Sequence, residues 1–63
     1  MYTLITCPNF EFADDFYAAL LAAHDGLSEA ETHAFNARLI LILGNHVGTQ
    51  NILVEALDAA AKR

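Results

Sequence analysis

Residues 35–50 read FNARLILILGNHVGTQ. Five branched aliphatic residues, Leu39 to Leu43, follow one another without a break. Asn36 and Arg38 precede them, and Gly44-Asn45-His46-Val47-Gly48 follows. Taken locally, the run fits a short buried strand or a turn and a half of helix. Its surroundings favour the helix. The segment from Glu29 to His46 is longer than a strand normally runs. Upstream, Ser28-Glu29-Ala30-Glu31 has the form of a capping box. In it the Ser28 hydroxyl accepts from the Glu31 amide, and the Glu31 carboxylate accepts from the Ser28 amide. The helix is expected to run over about 29–46 and to stop at Gly48.

At 100° per residue, five consecutive aliphatics coat every side of a helix. A helix apolar all round must be covered all round. Two neighbouring helices are legible. The first spans about 12–24: Phe12, Phe16, Leu20 and Ala23 repeat at helical spacing, and Asp14 and Asp15 favour its positive N-terminal end. Asp25-Gly26 ends it, with Gly26 free to take the left-handed conformation. The third spans about 50–61, capped by Thr49, with Ile52, Leu53, Ala56, Leu57 and Ala60 as its apolar stripe. Lys62 and Arg63 suit its C-terminal end. Residues 1–11 form an extended arm. YTLITC, residues 2–7, alternates as a short strand does, but has no mate in the chain. An arm packed across the helices, or against a second subunit, is the favoured reading. The expected fold is all-α: one domain over residues 1–63, a small three-helix bundle, dimeric through its central helix.

Composition points the same way. A chain of 63 residues buries only about 60% of its unfolded surface, and chains this small commonly add disulfides, a metal or a partner. Cys7 is the sole cysteine, which excludes an internal disulfide and suits a reducing cytoplasm. No secretory leader is visible, and no apolar run approaches the roughly 18 residues that span a bilayer. Formal net charge is -5, and the only basic residues are Arg38, Lys62 and Arg63. Nucleic acid and anionic membranes both call for clustered cations, so both are disfavoured as partners. The apolar fraction is 56%, above the usual 45–50% or so, and so short a helical chain has little interior to hide it.

The residues of interest lie on the central helix. Ala30, Ala37 and Gly44 recur every seventh position with Ala34 beside them, a shallow strip that admits another backbone. That backbone belongs either to a neighbouring helix of the same chain or to a symmetric dimer. Glu31, Arg38 and Asn45 lie nearly in line. Arg38 is expected to bury its stem and bond its guanidinium to Asp14, Asp15 or a carboxylate of another chain. Asn36 falls on the side of His33, Ile40 and Val47. Asn45 and His46, at the helix end, suit the loose carbonyls and amides of a turn. Asn36, Arg38, Leu41, Gly44, Asn45, His46 and Gly48 are the candidate partner-binding or structural positions.

Catalytic chemistry is hard to find. Cys7, His24, His33 and His46 have no metal-binding spacing, and neither Ser28 nor Cys7 has a recognisable activating base. Gly44 and Gly48 flank a helix end, whereas phosphate cradles form at helix starts. A buried thiol is the favoured state of Cys7. The expectation is a protein that is not an enzyme and has no cofactor or metal.

FYAALLAAHDGLS at 16–28, NARLILILGNHVG at 36–48 and the closing LVEALDAA resemble a family of very small bacterial proteins of uncharacterised function. Asn-Ala-Arg-Leu-Ile-Leu and Asn-His-x-Gly carry most of the likeness, and the arm lies outside it. Family members are associated with flavin-dependent aromatic hydroxylases. The resemblance therefore implies an accessory role like that of the small coupling component of a two-component hydroxyphenylacetate-type hydroxylase. The larger flavoprotein would hold FAD and be the partner. The alternative is a free-standing homodimer with a structural or regulatory role.

Overall fold

The computed structural model describes residues 3–62. Three helices follow one another: α1 (Ala13–His24), α2 (Glu29–Val47) and α3 (Gln50–Ala61). The fold is all-α, and no strand forms among the described residues.

The ends of the helices follow from local chemistry. α1 begins after Phe12 with Asp14 and Asp15 in its first turn and no side-chain cap. It ends where Gly26 turns left-handed at φ 78°. At the start of α2 the capping box is complete. The Glu31 amide donates to Ser28 Oγ at 3.2 Å, and the Ser28 amide donates to Glu31 Oε1 at 2.9 Å. These bonds hold the Glu31 carboxyl below its ordinary pKa, the Ser28 backbone N–H contributing most and its side chain next. Gly48 closes α2 at φ 74°, its N–H donating to the Gly44 carbonyl at 2.8 Å. This backbone cap takes the duty expected of Asn45 and His46, whose side chains make no hydrogen bond among the described residues. Thr49 holds the N-cap position of α3, but its side chain bonds none of the α3 amides.

The arm packs within the chain. The Leu4 N–H donates to Glu55 Oε2 of α3 at 2.9 Å. Residues 5–10 then pass beside Leu43, His46 and Val47 near the end of α2. Phe10 finally meets Phe16 of α1 with ring centroids 5.6 Å apart. Residues 3–7 form no strand, while Tyr2 and Arg63 lie outside the described residues. Cys7 is exposed, contrary to the expected buried thiol, because the arm lies on the surface rather than beneath it.

What the three helices leave uncovered matters most. Among the described residues not one side chain is fully buried. The radius of gyration is 13.4 Å, against about 11 Å for a compact chain of this length. α1 and α3 were expected to cover two sides of the aliphatic run. Of its five residues, only Leu39 is half-buried, and Leu41 is 74% exposed.

Candidate functional site

α2 meets its two neighbours in different ways. Towards α1 the contact is polar and aromatic. The Asp25–Leu27 turn reverses the chain, so that the last turn of α1 lies beside the middle of α2. There His24 is half-buried between its own helix and α2. Its Nδ1–H donates to the Leu20 carbonyl at 2.8 Å, and Nε2 stands 2.9 Å from Asn36 Oδ1. The Phe35 ring packs edge-on against the imidazole, centroids 4.8 Å apart at 70°.

Both ring nitrogens thus face acceptors, an arrangement that suits imidazolium, which has two donors. The His24 pKa rises above its ordinary 6.5, chiefly through the Leu20 carbonyl and then Asn36, with desolvation opposing. A cation here also lies at the negative end of the α1 dipole. Deprotonation leaves Nε2 as an acceptor, and Asn36 must then turn its amide to donate.

Towards α3 the contact is apolar and incomplete. Gly44, Leu53 and Ala56 are half-buried and form the floor of a groove. A Cβ placed on Gly44 would stand 3.9 Å from Leu53 Cδ2, an ordinary contact, so Gly44 is not pressed against α3. Ile40 and Leu41 rise on the α2 side and Leu57 on the α3 side, at 65%, 74% and 67% exposure. Asn45 and Ala60 complete the groove, which contains no ionisable side chain. The acids of α3 point elsewhere: Glu55 and Asp58 line the side that faces the arm.

The sequence candidates therefore divide. Leu41, Gly44 and Asn45 come together in this groove. Asn36 belongs to the His24 junction. His46 lies beside the arm, and Gly48 is the α2 cap. Arg38 is exposed and forms no ion pair among the described residues, so the expected in-chain pairing with Asp14 or Asp15 is not formed. The aliphatic run follows directly on Arg38 in sequence, but the side of the helix that Arg38 occupies is exposed. Ala30, Ala34 and Ala37 are exposed, leaving Gly44 as the part of the small-residue strip that lies against another helix. The one ion pair among the described residues joins exposed Glu29 and His33 across one helical turn at 3.8 Å, and such pairs contribute little.

His24 and Phe35 are the residues that sequence reading missed. The available signal was a histidine in the last turn of a helix, followed by a tight turn that returns the chain past it. No three His, Cys, Asp or Glu converge among the described residues in a way that could hold a metal. No helix there is long and apolar enough to cross a membrane.

These features define a small helical protein with a latched helix junction at His24 and an open apolar groove between α2 and α3. The chain belongs to the family described as protein of unknown function DUF2783, whose model matches residues 4–62. The match takes in most of the arm, which the sequence resemblance had left out. Comparisons with curated proteins and with solved structures find no match.

Proposed function

We propose that the protein is a non-catalytic accessory component that acts by laying its exposed helix face against another protein. The observation that carries this reading is the uncharged, largely exposed groove of α2 and α3, in a fold with no fully buried side chain among the described residues. Exposed apolar surface of this kind marks interaction sites. The partner implied by the sequence resemblance is a FAD-dependent aromatic hydroxylase. There the small chain would improve coupling by helping to close the flavin site against water. Its own residues supply contact surface and no reacting group.

The test is reconstitution of the flavoprotein copurified with the tagged chain from its native cells. Product formed per NAD(P)H consumed is measured with and without the small protein. The expected result is a higher ratio and less hydrogen peroxide when it is present. An unchanged ratio and unchanged peroxide would remove the coupling role. The second reading, a free-standing homodimer with a structural or regulatory role, is favoured by one further observation. The groove presents small residues and projecting leucines on a single face, the pattern that an isologous interface uses.

A further inference from the structure

We infer that the groove between α2 and α3 is the seat of a second copy of this chain, joined through a two-fold axis near Gly44. The inference gives the homodimeric reading its surface and rests on that reading.

The first argument is area. The chain exposes 5725 Å2. A compact monomer of its 6.9 kDa exposes about 4,000 Å2, which leaves a surplus of about 1,700 Å2. Obligate homodimers take roughly 1,000–2,500 Å2 from each chain. The surplus falls inside that range; it is shared between the groove, where Ile40, Leu41 and Leu57 stand exposed, and the arm and α1, where Phe10, Phe12 and Tyr17 do.

The second argument is shape. Gly44, Ala56 and Ala60 are holes, and Leu41 and Leu57 beside them are knobs. A two-fold operation brings the knobs of one copy over the holes of the other, and an isologous interface requires this self-complementarity. Glycine at position 44 lets the approaching backbone come close.

The third argument is charge. The chain carries a net charge of -5, so two copies repel wherever their acids meet. The groove has no ionisable lining, and Glu55 and Asp58 lie on the arm side of α3. This face therefore lets two acidic copies meet without bringing their carboxylates together. A strongly basic partner would instead be expected to seek the acidic sides.

The test is the mass of the purified full-length chain by light scattering and sedimentation equilibrium at micromolar concentration. It is paired with Leu57→Glu and Gly44→Leu variants. The expected result is twice the chain mass for the wild type. Leu57→Glu should weaken the dimer about a hundredfold or more, as charge in an interface centre does. Gly44→Leu should also weaken it, by filling the hole. A folded wild-type monomer overturns both this inference and the homodimeric reading. A wild-type dimer indifferent to both substitutions keeps the homodimer but overturns the assignment of its surface. A dimer through this groove takes the face from the flavoprotein, so the two readings compete for it, and hydroxylase coupling is read separately by product formed per NAD(P)H consumed.

Discussion

The two sides of α2 show two ways of holding a helix. Against α1 the chain finishes its own contact: His24 bonds Leu20 and Asn36, and the Phe35 ring packs on the imidazole. Against α3 it begins a contact and leaves it open, with Gly44 and Leu53 at the bottom and Leu41 and Leu57 standing exposed above. A polar, directional junction can be satisfied by a few groups of one chain. An apolar face is satisfied only by area, and α1 and α3 leave Ile40, Leu41 and Leu57 largely exposed. The difference separates a junction that one chain completes from a face that it leaves open.

Substitutions on the two sides should therefore behave differently. Leu53→Ala removes the side chain that overlies Gly44 and should have the largest effect, about 2–3 kcal/mol. If the open face is covered by another chain, that loss is larger at concentrations where the wild type is dimeric than where both proteins are monomeric, which chemical denaturation at several concentrations will read. Phe35→Ala strips the ring from His24 and should cost about 1–2 kcal/mol, less than a fully buried ring. On the account of a self-contained junction, this loss is the same at every concentration. Gly48→Ala forces a side chain into φ 74° and should cost about 1 kcal/mol, visible as a lower Tm.

The junction also predicts a pH dependence. The folded-state pKa of His24 is raised, so its contribution to stability is fully present below about 6.5 and is lost as pH rises through the folded value. The Glu31 pKa is lowered, so its contribution is present above about 4.5 and is lost as pH falls through the folded value. Stability should peak between these limits. His24→Gln should flatten the decline above pH 6.5 while leaving the acid side unchanged, and thermal melts across pH 4–9 check both slopes. Arg38→Ala should have the smallest effect, within about 0.5 kcal/mol, because Arg38 is exposed and has no ion pair among the described residues. A loss of several times that size would place a carboxylate of another chain on it.

The helices were legible because their signals are local. Ser28 and Glu31 act across three residues, and Gly26 and Gly48 act through their own backbone. The His24–Asn36 bond spans twelve residues and depends on how the Asp25–Leu27 turn aims α2, which no spacing rule encodes. The arm bond between Leu4 and Glu55 joins residues 51 positions apart for the same reason. Arg38 misled because a run of aliphatics says that a helix is apolar without saying which sides its neighbours reach. Of the candidate surface, Leu41, Gly44 and Asn45 were visible in the sequence. That they share a groove with Leu57 and Ala60 required the α2–α3 turn.

The proposed completion of the α2–α3 face by a second copy is read most directly from the melting temperature of the pure protein over a hundredfold range of concentration. Folding coupled to dimerisation makes Tm climb steadily with concentration. A sharp, cooperative transition at one temperature throughout that range, with monomer mass, would rule out a second copy on this face.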